Sequence, residues 1–211
     1  MVMVEIINPE IFSINKNLKV EEKYIGNSTN KILIVDNFFN YPDQVQEYAL
    51  SVSYAKEGGH ANPGYVHRTG FNIFEFLNFT RWAREVFYKD PRENYNAPIF
   101  SFQAYENIGE VLPHIDEVNY AGLCCLNKIS ENISGTSFFK YKTGEEYSRQ
   151  YSYRGDIFSS SQSKDWTRYH IEYHQYNRFI FYESCLFHSA YWNKSKWNSE
   201  TPRLTFNTFT W

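Results

Sequence analysis

The pattern of apolar and polar positions changes character near the middle of the chain. Residues 31–39, KILIVDNFF, form a nearly continuous apolar run and predict a short strand. Pro42 follows where a first helical turn tolerates it, and Val45, Tyr48, Ala49 and Val52 recur at helical spacing, so 42–55 is predicted as an amphipathic helix. Gly and Pro in GGHANPG, 58–64, break both periods and mark a loop, and GYVHRTG, 64–70, reads as a solvated loop. A second helix is predicted over 72–89, with Phe76, Phe79, Trp82, Ala83, Val86 and Phe87 as its buried stripe.

After Pro91 the segments become short, β-branched and aromatic. Strands are expected at 98–106, 111–117, 120–127, 136–142, 168–176, 178–186 and 203–211. Turn-like stretches, ENIGE, KISENISG and YKTGEE, separate several of them. The polar region 143–167 reads as an excursion over a barrel mouth. Tyr141–Tyr153, with Asp165 and Trp166, is expected to form a lid or recognition surface. Helices first and strands afterwards predict an α+β domain built around an antiparallel barrel or sandwich. A length of 211 residues fits one domain, with 1–97 as an N-terminal strand and helical support and 98–211 as the barrel core.

Composition narrows the partners. Aromatics make up 19% of the chain, and Tyr equals Phe at 18 each, so some phenols should line a wet groove or surface. A net charge of −3 removes any global electrostatic reason to bind nucleic acid. Three cysteines, Cys124, Cys125 and Cys185, have no disulfide-framework spacing and read as reduced thiols. No stretch approaches the roughly 20 apolar residues that span a bilayer. The start, MVMVEIINPEIF, lacks the basic and apolar regions of a secretory signal. The expectation is a soluble cytoplasmic protein with no membrane partner.

Candidate chemistry centres on His114 and Asp116 in LPHIDEV and His188 in CLFHSAYW. Strand alternation puts His114 and Asp116 on one face and turns Ile115 away. His188 ends the apolar run NRFIFYESCLFHS. Two histidines and one carboxylate make a facial set that leaves metal positions open, as in non-haem Fe(II) oxygenases. His60, His67, His170 and His174 have no comparable partner set and read as structural or surface residues. In PRLTFNTFTW the alternation places Arg203, Thr205, Asn207, Phe209 and Trp211 on one face. A buried guanidinium needs an anionic partner and grips carboxylates bidentately. That partner is either an organic acid or one of the chain's own carboxylates.

The order of these motifs resembles the 2-oxoglutarate and Fe(II)-dependent dioxygenases, and more closely their prolyl-4-hydroxylase-like branch. Tyr105 precedes PHIDE. CCLN ends at Asn127, and SGTSFF, FHSAYW and PRLTFN follow, so the resemblance covers about 98–211. It implies a double-stranded β-helix, or jelly roll. It implies Fe(II) held by His114, Asp116 and His188, with 2-oxoglutarate and O2 as co-substrates. It further implies that Arg203, helped by Thr205, pairs with the distal carboxylate of 2-oxoglutarate, and that Tyr105 faces the co-substrate or metal pocket. Some relatives place a tyrosine where this chain has Cys125, so the pocket must be completed differently, by Asn207 or another tyrosine. The implied activity is hydroxylation of a peptide side chain or small metabolite, with release of succinate and CO2. Two other readings fit the same residues: a cupin-type metal enzyme that uses no 2-oxoacid, with Arg203 structural, and a catalytically silent ligand-binding barrel.

Overall fold

The computed structural model describes residues 8–27, 29–56, 65–68, 74–90, 99–105, 113–128, 132–149, 163–192, 197 and 201–211. The elements are β1 (Lys19–Ile25), β2 (Asn30–Asp36), α1 (Pro42–Ser51), β3 (Ala55–Lys56), β4 (Tyr65–Arg68), α2 (Phe74–Ala83), β5 (Ile99–Tyr105), β6 (Tyr120–Cys125), β7 (Ser134–Tyr141), β8 (Trp166–Tyr173), β9 (Phe179–Glu183), β10 (His188–Trp192) and β11 (Arg203–Thr210). They form an eight-stranded sheet in the order β1-β2-β9-β6-β11-β5-β4-β3 and a three-stranded sheet in the order β10-β7-β8. Every pairing in both sheets is antiparallel. The fold is a double-stranded β-helix, or jelly roll.

The central strands of the large sheet are buried on both faces, which explains their apolar runs. Leu33 and Val35 of β2, Phe179 and Phe181 of β9, and Leu204 and Phe206 of β11 point to one side. There they meet Val45 and Ala49 of α1 and Phe76, Phe79 and Ala83 of α2. Phenylalanines fill this layer: Phe38 stacks on Phe179 at 4.4 Å between centroids, and Phe76 meets Phe206 at 4.9 Å. The alternate residues, Ile32, Ile34, Ile180 and Tyr182, face Phe138 of the small sheet. The helices therefore back the large sheet, and the space between the sheets is left for a site.

Several expected boundaries move. The helix expected over 42–55 ends at Ser51. The helix expected over 72–89 is α2 followed by a π-helical turn, Arg84–Tyr88. The extra residue per turn rotates the positions after Ala83. Trp82 and Val86 are 38% and 41% exposed, and Arg84 takes the buried position. Within 64–70, residues Tyr65–Arg68 form β4 rather than loop, because Val66 is buried and the segment pairs with β5. The edge strand β1 has no counterpart among the expected strands. It is largely charged and exposed, as suits a sheet edge, and gives no apolar signal. β1–β4 join the same sheet as β5, β6, β9 and β11, so strand pairing crosses the 97/98 boundary. The loops expected at 58–64, ENIGE at 106–110, and 150–162 of the expected excursion lie outside the described residues. Of the expected lid or recognition surface, Tyr141 and Trp166 are buried against Phe187 and belong to a small core. Among the described residues no helix is long and apolar enough to cross a membrane.

Candidate metal centre

The site forms where the chain passes from one sheet to the other. The expected strand 178–186 stops at Glu183, and a turn closed by Leu186 N–H donating to Glu183 O (3.2 Å) separates it from β10. His188 therefore opens a strand in the small sheet and does not end one in the large sheet. The expected strand 111–117 reduces, within its described part 113–117, to one bridge at His114. Its partner is His188, the first residue of β10, just beyond this turn. His114 and His188 exchange both backbone hydrogen bonds at 2.9 Å, and Asp116 N–H donates to Ser184 O at 3.2 Å. The two contacts fix residues 114 and 116 against the corner and keep their side chains together, as the i and i+2 spacing requires.

His114, Asp116 and His188 each offer a ligand atom, and these atoms lie within 4.8 Å of one another. His188 Nε2 faces Asp116 Oδ2 at 3.2 Å, and His114 Nε2 is 3.9 Å from Asp116 Oδ1. Donors about 2.1 Å from one ion on adjacent octahedral positions lie roughly 3 Å apart. His188 Nδ1 is 2.8 Å from Leu186 O, and a carbonyl only accepts, so Nδ1 carries a proton and Nε2 is the nitrogen open to a metal. Asp116 Oδ2 is buried with no hydrogen-bond partner in alignment. Burial alone would raise the Asp116 carboxyl, but the His188 and His114 imidazoles outweigh it and hold it below the usual carboxylate range. Burial would likewise lower His188, and Asp116 reverses the direction. An anionic carboxylate and two imidazole nitrogens facing one point fit a divalent cation.

The same cavity, about 130 Å³, is lined by Arg203, Thr205 and Asn207. β11 thus keeps the predicted alternation through Phe209, with Arg203, Thr205, Asn207 and Phe209 toward the cavity and Leu204 and Phe206 in the helical core. Trp211 lies beyond the strand and is not part of the lining. Arg203 is 2% exposed and donates from Nε to Ser134 Oγ (2.8 Å) and from Nη2 to Gly135 O (3.3 Å). Thr205 Oγ1 and Asn207 Oδ1 are buried in the cavity wall without hydrogen-bond partners. Such groups are costly unless a ligand or water satisfies them. Cys125 pairs with Thr205 across the sheet and is buried. Tyr105 pairs with Arg203 through the backbone at the end of β5, and its side chain lies outside the described residues. His174, read from sequence as structural or surface, is buried 3.4 Å from Arg203 Nη2. Nothing in the sequence links 174 to 203, because they meet only through the register of β7. The hydroxyls of Ser134 and Thr136, alternating on that strand, were the available signal.

Fold and site together define a double-stranded β-helix protein with a His-Asp-His cluster and a buried arginine in one cavity. The chain belongs to a family of unknown function (DUF6445), whose profile matches residues 16–210. No curated protein matches it in sequence. Several solved structures are similar to it in fold, three of them as follows. The non-heme alpha ketoglutarate dependent carbocyclase SnoK from nogalamycin biosynthesis gives a TM-score of 0.54 at 12% identity, over 85% of this chain and 78% of the other. A Pseudomonas putida prolyl-4-hydroxylase gives 0.53 at 10%, over 86% and 92%. The non-heme alpha ketoglutarate dependent epimerase SnoN, also from nogalamycin biosynthesis, gives 0.52 at 12%, over 80% and 72%. At such identities the likeness establishes a shared fold.

Proposed function

We propose that the protein is a non-haem Fe(II)- and 2-oxoglutarate-dependent dioxygenase that hydroxylates a small molecule or peptide side chain. The observation that supports it most is the convergence of His114, Asp116 and His188 on the cavity that Arg203, Thr205 and Asn207 also line. SnoK and SnoN, which share the fold, are by name non-heme alpha ketoglutarate dependent enzymes, and the third structure is by name a hydroxylase. We read the chain as one catalytic unit, since strands from both halves share the large sheet. The free thiols fit a reducing, cytoplasmic setting, and the net charge of −3 disfavours nucleic acid as substrate.

His114, Asp116 and His188 would hold the metal from one side. Iron with 2-oxoglutarate and O2 supplies oxidative decarboxylation to succinate and CO2, coupled to oxidation of the substrate. The protein's own groups orient and exclude. Leu186 O fixes the His188 tautomer. Arg203 and Thr205 would grip the distal carboxylate of 2-oxoglutarate, with Asn207 beside it. The apolar wall formed by Leu123 and Phe209 limits water.

The test is succinate release from 2-oxoglutarate with Fe(II) and O2, with and without candidate substrates. Wild-type protein should release succinate. Asp116→Ala should abolish release and weaken metal binding by more than about 100-fold, since losing a ligand exceeds the loss of its support. Arg203→Leu should weaken 2-oxoglutarate by roughly 10- to 100-fold with metal retained. The hydrogen bonds that already satisfy Arg203 within the protein favour a second reading, a cupin-type metal enzyme without a 2-oxoacid. Unchanged co-substrate affinity in Arg203→Leu would support that reading.

A further inference from the structure

The polar surroundings of Arg203 include groups from β7 and the residue after β8. Their hydrogen-bond directions can be read one by one. Arg203 Nη2 only donates, and it faces His174 Nδ1 at 3.4 Å. Arg203 Nε donates to Ser134 Oγ, which leaves the Ser134 hydroxyl proton for His174 Nδ1, 3.2 Å away. Nδ1 is therefore an acceptor, and in a neutral ring the proton sits on Nε2. Burial, then the Arg203 and Arg178 guanidinium groups, push the His174 pKa well below the usual histidine value, consistent with a neutral ring. His174 Nε2–H then donates to Thr136 Oγ1, 3.3 Å away. Having accepted that bond, the Thr136 hydroxyl keeps its own proton to donate. Thr136 lines the cavity together with Arg203 and Thr205.

We propose that His174 is a positioning residue that turns the Thr136 hydroxyl into a donor toward the carboxylate bound at Arg203. Arg203, Thr205 and Thr136 then hold that carboxylate from three sides. The inference rests on the 2-oxoglutarate reading and adds to it a third group that holds the carboxylate.

The experiment measures 2-oxoglutarate binding to Mn(II)-loaded protein by calorimetry, with Mn(II) affinity measured separately. Thr136→Val should weaken 2-oxoglutarate about 10-fold, the loss of one hydrogen bond to a charged group, and Thr136→Ser should stay within about 2-fold of wild type. His174→Leu should match Thr136→Val. His174→Gln, whose amide N–H can still donate to Thr136, should recover to within about 3-fold. Because His174 acts through Thr136, the double variant Thr136→Val with His174→Leu should be no more than about 2-fold weaker than either single one. Mn(II) affinity should stay unchanged throughout, which a general structural role would not predict. Wild-type-like 2-oxoglutarate binding by Thr136→Val, or additive losses in the double variant, would overturn the assignment alone. Wild-type protein that takes up Mn(II) but no 2-oxoglutarate would overturn the co-substrate reading and this assignment with it. If His174→Leu does not fold, the Thr136→Val and Thr136→Ser pair decides.

Discussion

His188 and His174 are both buried histidines of this protein, and their surroundings give them opposite character. His188 faces a carboxylate, which favours the protonated ring in the absence of a cation. His174 is held neutral by its burial and then by two guanidinium groups. For His174 the consequence for stability has a definite sign. An unfolded histidine takes up a proton below about pH 6.5, whereas the folded His174 does not. Its neutral burial stabilises the fold fully above about pH 6.5. That contribution falls, by at most about 1.4 kcal/mol per pH unit, as the pH drops toward the lowered folded value. His174→Gln removes the titration, so urea midpoints recorded from pH 7 to pH 5 should fall less steeply for the variant than for wild type. Parallel curves would contradict a neutral His174. The sequence made His114, Asp116, His188 and Arg203 legible because each needs a particular residue type at a particular spacing. His174, Ser134 and Thr136 were not legible, since their roles depend on hydrogen-bond direction across strands.

At the level of elements, β11 was the most readable. Its inner positions are polar because they line a cavity, and its outer positions are apolar because they face the helices. β2 and β9 were readable as apolar runs. The β9–β10 corner was not, because NRFIFYESCLFHS stays apolar through the turn: Leu186 and Phe187 are buried on both sides of the change of sheet. β6 sits between β9 and β11 with little room at its centre. A Cβ on Gly122 would lie 2.4 Å from the Phe179 ring and 3.0 Å from Thr208. Gly122→Ala should therefore destabilise the protein by about 1–3 kcal/mol, the cost of overpacking a filled core. A denaturant midpoint shifted down by that amount checks it, and an unchanged midpoint would mean the β6–β9 layer is looser than described. The π-helical turn after α2 escaped a 3.6-residue pattern for a related reason. The buried Arg84, ion-paired to Asp90 at 3.5 Å, occupies a position that an apolar stripe does not anticipate.

For the whole molecule, the order of motifs from Tyr105 to Arg203 was enough to anticipate a jelly roll, and the two sheets bear it out. The share taken by the N-terminal strands was not anticipated, because β1 is charged and β3 and β4 are short. The architecture places a stiff aromatic layer behind the large sheet and a polar cavity in front of it. This arrangement brings side chains from residues 114–116, β10 and β11 together at one cavity. The central claim is that this cavity binds Fe(II) and a 2-oxoacid together. Anaerobic titration of Fe(II)-loaded protein with 2-oxoglutarate measures it most directly. The account predicts a weak visible charge-transfer band that saturates at one equivalent per chain and is lost in Asp116→Ala. Iron-loaded wild-type protein that develops no band would contradict it.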